Sequence, residues 1–322
     1  MILAFDTSCY TTSLALLDAD GRLLADKRRL LSVERGACGL RQSEALFQHM
    51  QALPGLLKEA LTDIGGQAQA QARAVAVSSR PRPQAGSYMP VFLAGLEAAR
   101  LLSLAWACPC WEFSHQEGHI AAALWSKNLA WREPFLAAHL SGGTSEIVLA
   151  TPQEAGFALE LLGGSDLAAG QFIDRVGVAL GLPFPAGPAL EQLAKSAPPA
   201  SLRLKGTVNG ANMSFSGPES AAQRLITQGQ GGAALAQAVF YNIGQSLSQA
   251  LQEAAKTTGC ARALITGGVA ANSLIRAQIS EKASDLELYF AAPAYAGDNA
   301  VGIAALAAAR LSAKEEATHE QG

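Results

Sequence analysis

Short apolar segments separated by polar turns open the chain. Residues 1–5 and 13–17 are apolar, and the polar stretch 6–12 lies between them. A second turn at residues 18–21 precedes a third segment. Apolar runs of this length, bounded by Asp, Gly, Ser and Thr, are typical of β-strands. The pattern therefore predicts a β-hairpin meander of three strands at the start of the chain.

The same pattern returns in the middle of the chain. Residues 135–140 are apolar, residues 141–145 form a polar turn, and residues 146–150 are apolar again. An internal repeat of this kind predicts two related halves. We expect the two polar turns to face each other across a cleft and to offer N–H groups and hydroxyls to a phosphate chain, as in actin-like kinases.

Helices and buried strands are predicted between and after these repeats. Residues 44–61 have the spacing of an amphipathic helix that Pro54 kinks or restarts. Its predicted apolar face consists of Ala45, Leu46, Met50, Leu53, Leu57, Ala60 and Leu61. The other predicted elements are a strand over 72–77, a helix over 93–106, a strand over 263–265, a helix from Val269 directly after Gly267 and Gly268, and a terminal helix with Asp298 in its first turn. A strand, a glycine pair and a helix N-terminus let backbone N–H donors approach a ligand closely.

The composition indicates a two-lobed protein without a membrane span. At 322 residues and 49% hydrophobic content, the chain can bury one or two substantial cores. No apolar run approaches the ~18–20 residues of a membrane-spanning helix, and the start lacks the basic segment of a secretion signal. Five cysteines form an odd, sparse set that suits a reducing compartment. We therefore expect a cytoplasmic protein.

The charge balance leaves RNA binding open. A formal charge of −3 provides no global attraction to nucleic acid, so any RNA contact must rest on a local patch. Seven basic residues that fall in the first lobe are candidates for such a patch: Lys27, Arg28, Arg29, Arg35, Arg41, Arg80 and Arg82. A continuous patch of these residues would favour tRNA, whereas scattered ones would be solvated surface charge.

Two histidines at helical spacing suggest a metal site. His115 and His119 occur in Ser-His-Gln-Glu-Gly-His, and residues four apart project from one face of a helix. A capping or packing pair is the alternative interpretation. Asp298 is a candidate third ligand, because a carboxylate at a helix start is both held and exposed. Zinc, iron(II) and magnesium remain possible, and the imidazoles argue against a pure magnesium site.

Ordered motifs along nearly the entire chain carry a family resemblance. They are Asp-Thr-Ser-Cys at 6–9, His-Gln-Glu-Gly-His at 115–119, Ser-Gly-Gly at 141–143, Ala-Ala-Gly-Gln-Phe-Ile-Asp at 168–174, Pro-Ala-Gly-Pro at 185–188, Ser-Phe-Ser-Gly at 214–217, Gly-Gly-Val-Ala-Ala-Asn at 267–272 and Asp-Asn at 298–299. In this order they resemble the tRNA N6-adenosine threonylcarbamoyltransferases, once labelled O-sialoglycoprotein endopeptidases. A protease is not expected, because no serine or cysteine in these motifs has an evident paired base and orienting acid.

The resemblance implies an α/β fold of the actin-like ATPase (ASKHA) class, with duplicated ribonuclease-H-like cores. It implies an N-terminal lobe of residues 1–130, completed by a C-terminal helix at 298–322, and a C-terminal lobe of residues 131–297.

The resemblance also implies the reaction and the site residues. The expected enzyme passes the threonylcarbamoyl group of threonylcarbamoyl-adenylate to N6 of adenosine 37 in tRNA. His115, His119 and Asp298 match the family's ligands to one divalent metal, for which we expect iron(II) or zinc rather than magnesium. The positions that match those holding the adenylate or ATP are Leu140, Ser141, Gly142, Gly143, Thr144, Asp174, Gly187 and Asn272. The expected partners, by analogy, are tRNA, a smaller subunit of similar structure and an ATPase subunit of a modification complex, with no membrane.

Several residues depart from the family pattern. Tyr10 and Thr11 replace two acids that usually follow Thr-Ser-Cys, and Thr144 replaces a histidine. Residues 80–86, Arg-Pro-Arg-Pro-Gln-Ala-Gly, replace a Gly-Pro-Gly loop, and the segment 35–41 is shortened. Three hypotheses therefore stand: the tRNA-modifying transferase, a paralogue that moves a carbamoyl-type group to another acceptor, and a non-catalytic nucleotide-binding subunit.

Overall fold

The structure, a computed structural model, describes residues 1–8, 10–33, 40–65, 72–154, 156–198 and 202–319, with side chains up to residue 316 at the C-terminal end. Cys9, Arg35, most of the segment 35–41 and residues 320–322 lie outside the described residues. The strands are β1 (Ile2–Asp6), β2 (Thr11–Leu17), β3 (Leu23–Leu30), β4 (Ala74–Arg80), β5 (Cys110–Ser114), β6 (Phe135–Leu140), β7 (Ser145–Gln153), β8 (Gly156–Gly164), β9 (Thr207–Asn209), β10 (Asn212–Ser214), β11 (Arg262–Thr266) and β12 (Glu287–Phe290).

The helices lie between groups of these strands and after the last strand. They are α1 (Gln42–Asp63), α2 (Phe92–Ala105), α3 (His115–Ser126), α4 (Ala169–Ala179), α5 (Gly187–Lys195), α6 (Ser216–Thr227), α7 (Ala233–Thr258), α8 (Ser273–Lys282), α9 (Pro293–Ala296) and α10 (Val301–His319), with a 3₁₀ turn at Gly268–Ala271. Within the described residues, none of these helices is both long enough and apolar enough to cross a membrane.

The chain divides into two compact units. The first consists of Met1–Arg132, Pro152–Ala158 and Gly297–Gly322, and the second of Glu133–Thr151 and Leu159–Ala296.

A five-stranded sheet in the order β3-β2-β1-β4-β5 forms the centre of the first unit. β1 pairs antiparallel with β2 and parallel with β4, so that Leu3 lies between Leu16 and Val75. Every residue of β1 is buried, because a central strand covered on both faces leaves no side for polar residues. The predicted meander of three strands is confirmed.

The second unit repeats this topology. Its five-stranded sheet has the order β12-β11-β6-β7-β8, which matches β5-β4-β1-β2-β3 position by position. As in the first sheet, the central strand β6 pairs antiparallel with the strand that follows it and parallel with a later strand, β11. The prediction of two related halves with an actin-like fold is therefore confirmed.

The first helix differs from its predicted form in two ways. It runs without interruption through Pro54, so the predicted restart is wrong. Met50, which the apolar spacing placed on the inner face, is 59% exposed. His49 is buried instead, and its Nδ1 lies 2.8 Å from Thr12 Oγ1. This pairing accommodates a polar ring on the inner face, which a count of apolar positions cannot anticipate.

Two other helices begin later than predicted, each after an asparagine whose side-chain oxygen accepts from backbone N–H groups at the helix start. Asn272 Oδ1 accepts from Leu274 N–H and Ile275 N–H at 3.0 Å each, so α8 starts at Ser273 after a 3₁₀ turn and not at Val269. Asn299 Oδ1 accepts from Val301 N–H at 3.0 Å. Asp298 consequently precedes the terminal helix and does not lie in its first turn.

Helices α3 and α10 cross at two glycines in the first unit. A Cβ added to Gly302 would lie 1.8 Å from Gly118 O, and one added to Gly118 would lie 2.8 Å from Ile303 Cδ1. The backbone of α10 can approach Gly118 O this closely only because Gly302 lacks a side chain. The crossing brings the start of α10 against the helix that carries His115 and His119.

We predict that Gly302→Ala lowers the free energy of unfolding by at least about 2 kcal/mol, because the added methyl overlaps a backbone carbonyl that cannot move aside cheaply. Gly217→Ala in α6 is the matched control, since a Cβ there meets no atom within 4 Å. Urea denaturation of both variants measures the difference. Equal stability of the two variants would show that the helices do not cross this closely.

Candidate functional site

The position of the two histidines follows from a capping box at the start of α3. Ser114 Oγ accepts from Glu117 N–H at 3.2 Å, and Glu117 Oε2 accepts from Ser114 N–H at 2.8 Å. These reciprocal bonds fix the first turn of the helix. His115 is its first residue and His119 lies one turn later on the same face, with their Nε2 atoms 2.9 Å apart.

Asp298 completes a three-residue cluster with the two histidines. Its Oδ1 lies 3.6 Å from His115 Nε2 and 3.5 Å from His119 Nε2. The side chain of His119 is only 2% exposed, whereas that of Asp298 is 20% exposed. The structure thus brings together the three residues that the sequence indicated as metal ligands, and the cluster can be reached from the side of Asp298.

The dimensions of the cluster suit a small divalent cation. The three ligand atoms form a triangle whose centre lies roughly 2 Å from each atom, which is the usual length of zinc–nitrogen and zinc–oxygen bonds. Two imidazoles and one carboxylate are the ligands that zinc and iron(II) favour, and they leave coordination positions for a substrate. Magnesium, which prefers oxygen, suits this set less well.

A fourth residue, Asp6, orients the first histidine. Asp6 ends β1, is 1% exposed, and places its Oδ2 2.8 Å from His115 Nδ1. Its Oδ1 accepts from Ser8 N–H at 2.8 Å, so the carboxylate is held from both sides. A carboxylate on Nδ1 keeps the proton there and leaves Nε2 to face Asp298.

These contacts shift the pKa values of the two histidines in opposite directions. Burial lowers the pKa of His115, but the carboxylates of Asp6 and Asp298 outweigh burial and raise it from 6.5 to about 9. Burial, followed by the positive charge of His115, lowers the pKa of His119. At neutral pH and without a metal, His115 therefore holds the proton of the pair.

In the second unit, the turn after β6 is held by its own serine. Ser141 N–H donates to Thr144 O at 2.7 Å, and Ser141 Oγ accepts from Thr144 N–H at 3.1 Å. Gly142 and Gly143 are exposed, and a Cβ on either would meet no atom within 4 Å. A ligand can consequently approach the backbone of this turn closely.

Two further glycines let other elements pack directly on this turn. Gly267 has φ +98°, and a Cβ there would lie 2.1 Å from Leu140 O. A Cβ on Gly170, in the first turn of α4, would lie 2.6 Å from Gly142 Cα. Both the segment after β11 and the start of α4 therefore touch the turn.

Side-chain hydrogen bonds connect the remaining nucleotide candidates. Asp174 on α4 accepts from the N–H of Ala186 at 2.7 Å, directly before Gly187, and burial raises its pKa. Glu191 on α5 accepts from Ser273 N–H at 3.1 Å, next to Asn272.

In the second unit, contacts therefore join the turn to α4, α4 to the start of α5, and α5 to the start of α8. The segment after β11 leads into α8 and touches Leu140, directly before the turn. We call this series the ring of contacts. All eight candidate nucleotide residues lie on this ring: Leu140, Ser141, Gly142, Gly143, Thr144, Asp174, Gly187 and Asn272.

The two divergent positions of the first loop, Tyr10 and Thr11, carry no carboxylate. Thr11 begins β2 opposite Leu30, and Tyr10 O accepts from Leu31 N–H at 2.8 Å. Both residues thus pair with the chain where β2 begins and β3 ends.

Sequence reasoning missed two contacting acids, Asp6 and Glu191. An acid directly after a buried strand was a usable signal for Asp6. Glu191 gave none, because its partner Ser273 is 82 residues away in the chain.

Comparison with known proteins identifies relatives along most of the chain. The family model described as TsaD, tRNA N6-adenosine threonylcarbamoyltransferase, matches residues 36–305. The protein of that name from Anaeromyxobacter sp. is 33% identical over 94% of this chain and 92% of its own length. The protein of that name from Thermus thermophilus is 34% identical over 94% of this chain and 90% of its own length.

Solved structures with the same fold are more distant in sequence. Component A of (R)-2-hydroxyglutaryl-CoA dehydratase from Acidaminococcus fermentans has a TM-score of 0.59 at 14% identity, over 97% of this chain and 98% of its own. The activator of 2-hydroxyisocaproyl-CoA dehydratase from Clostridium difficile, with bound ADPNP, has a TM-score of 0.55 at 14% identity, over 98% and 96%. These neighbours establish the actin-like ATPase fold.

We predict that Asp6→Asn weakens zinc binding by about 10- to 100-fold while the fold is kept, because the amide no longer fixes the proton of His115 as a carboxylate does. Asp26→Asn, at an aspartate paired with Arg28, is the control. Competition with a chromophoric chelator measures both affinities. Identical affinities in the two variants would show that Asp6 does not support the site.

The raised pKa of His115 also determines the pH dependence of metal binding. Since the metal must replace a proton that His115 holds below about pH 9, affinity should fall as the pH decreases from about 9, and not only below the ordinary range of about 6–6.5. Chelator competition from pH 6 to 9, with the chelator's own protonation subtracted, tests this. A flat profile down to about pH 6.5 would contradict the assignment.

Proposed function

Because the chain belongs to the tRNA N6-adenosine threonylcarbamoyltransferase family, an acyltransferase family, we propose that it transfers the threonylcarbamoyl group of threonylcarbamoyl-adenylate to N6 of adenosine 37 in tRNA. The observation that carries the proposal is the cluster of His115, His119 and Asp298 in a chain of this family. The cluster would hold one divalent metal, iron(II) or zinc, with Asp6 orienting His115.

The proposed reaction is an acyl transfer. N6 of the adenosine forms a bond to the carbamoyl carbonyl carbon, the bond from that carbon to the phosphate oxygen breaks, AMP leaves, and N6 loses one proton. A bound divalent ion would supply Lewis acidity and orient the oxygens of the donor. The ligands leave coordination positions open for such oxygens, which is the requirement for a working site.

We assign the adenylate to the ring of contacts in the second unit. The exposed Gly142 and Gly143 offer their backbone to phosphate oxygens, and Asp174 is an acceptor for ribose hydroxyls. Asn272 lies at the start of α8, where the helix N-terminus favours an anionic or polar ligand. The activator from Clostridium difficile, which has this fold, is described with bound ADPNP, and this supports a nucleotide as ligand.

Exposed apolar side chains on α1 and α2 support a protein partner. Phe47 and Met50 on α1 are 55% and 59% exposed, and Leu101 and Leu104 on α2 are 68% and 80% exposed. Each pair is spaced by three residues and so lies on one helix face. Large apolar groups at this density mark an association surface. We assign this surface to the smaller subunit of a modification complex that also contains an ATPase subunit, and we expect the complex in the cytoplasm, where tRNA is modified.

Transfer to tRNA is tested by product analysis. The metal-loaded protein, with and without its partner proteins, is incubated with threonylcarbamoyl-adenylate and unmodified tRNA, and the digested RNA is examined by mass spectrometry. We expect threonylcarbamoyladenosine with the wild type and at least a hundredfold less with His119→Ala, since the metal ligand is lost.

The alternatives give different outcomes in the same assay. Consumption of the adenylate without modified adenosine would favour a paralogue with another acceptor, which the replacement of two acids by Tyr10 and Thr11 would then explain. Adenylate binding without turnover, even with all partner proteins added, would favour a non-catalytic subunit. Either result contradicts the proposal.

A further inference from the structure

The loop that follows β4 is fixed beside the candidate metal centre. Arg80, the last residue of β4, pairs with Ser114 of β5. Ser114 directly precedes His115. The next residue, Pro81, accepts at its carbonyl from Gln116 N–H at 3.1 Å. The loop at residues 81–90 therefore starts directly against the first turn of α3, which carries the metal ligand His115.

The loop lies in a stretch of the chain that contains no acid. Between Asp63 and Glu97 the sequence has no Asp or Glu, and Arg80 and Arg82 lie at the end of β4 and in the loop. Arg73, before β4, pairs with Glu315. Three other basic residues of the first unit, all on β3, pair with acids. Lys27 pairs with Asp63 at 2.8 Å, Arg28 with Asp26 at 2.6 Å, and Arg29 with Glu59 at 3.3 Å. Acids therefore offset the charge of these three residues, which on β3 favours solvated surface charge over an RNA-binding patch.

The loop is stiff, and its side chains Arg82 and Tyr88 are among those exposed to solvent. Pro81, Pro83 and Pro90 restrict its backbone, and Ser87 Oγ accepts from Arg82 N–H at 3.0 Å across its width. Arg82 is exposed, and Tyr88 is 62% exposed. An ordered loop loses little conformational entropy on binding, which favours a role in recognition.

We propose that this loop binds the tRNA next to its target nucleotide, with Arg82 contacting a backbone phosphate and Tyr88 stacking on an unpaired base. The inference rests on the proposed function and names how that site would hold its acceptor. Because a base is covalently joined to the RNA backbone, the phosphates that flank a base reacting beside the metal also lie close to the metal. A cation and an exposed aromatic ring are the groups that recognise single-stranded RNA in loops.

Four variants and one control test the proposal by fluorescence anisotropy with a labelled, unmodified anticodon stem-loop RNA. Arg82→Gln should weaken binding about 3- to 10-fold at moderate salt and make the slope of log affinity against log salt about 0.7–0.9 less steep, because one phosphate contact is lost. Arg82→Lys should keep most of that slope. Tyr88→Ala should weaken binding about 5- to 100-fold, whereas Tyr88→Phe, which retains the ring, should bind like the wild type.

Arg22→Gln is the matched control. Arg22 is an exposed arginine in the β2–β3 turn. This turn lies at the end of the strands opposite to the end that carries Asp6, which contacts His115. Removal of Arg22 should leave the affinity for RNA unchanged. Metal content, measured in parallel, verifies that each variant keeps the neighbouring site. If the wild type binds RNA and Arg82→Gln and Tyr88→Ala behave like Arg22→Gln, the loop is not the contact and only this inference fails. If the wild type with its partner proteins binds no tRNA, the proposed function fails as well.

Discussion

The close crossing of α3 and α10 at Gly118 and Gly302 determines the geometry of the candidate metal centre. Helix α3 carries both histidines, and Asp298 lies three residues before α10. The backbones approach as they do here because Gly302 lacks a side chain, and Gly118 leaves room for the side chain of Ile303. The carboxylate comes within 3.6 Å of both imidazoles because the helices pack tightly, and not because of any local motif. A residue distant in sequence thus joins the cluster through packing.

Much of this arrangement could be predicted from the sequence, because it depends on patterns of short range. Alternating apolar segments and polar turns indicated both meanders, and the spacing of His115 and His119 placed them on one helix face. The contact between Asp6 and His115 could not be predicted in this way, since it joins the end of a strand to a helix 109 residues later. The start of α10 was predicted too early. The side chain of Asn299 accepts from the first N–H of the helix, so the irregular segment extends to this point and Asp298 lies before the helix.

The second unit shows how small residues and short hydrogen bonds can shape a binding surface. Gly170 and Gly267 allow α4 and the segment after β11 to touch the turn at Ser141, and Glu191 connects α5 to α8. The resemblance indicated most residues of this ring individually, but their mutual contacts appear only in the folded chain. Among the departures from the family pattern, Thr144 lies on this ring, whereas Tyr10, Thr11 and the loop after β4 belong to the first unit. These are the positions where an altered acceptor or altered RNA contact would be encoded.

The candidate metal centre and the proposed transfer both require one ion bound jointly by His115, His119 and Asp298. X-ray absorption spectroscopy of the protein loaded with a single equivalent of zinc or iron(II) tests this directly. Joint binding predicts two imidazole nitrogens at about 2.0–2.1 Å and a carboxylate oxygen at about 2.0–2.2 Å from the metal. The histidine scattering should be reduced in His119→Ala. A spectrum that contains only oxygen ligands and lacks imidazole scattering would contradict it.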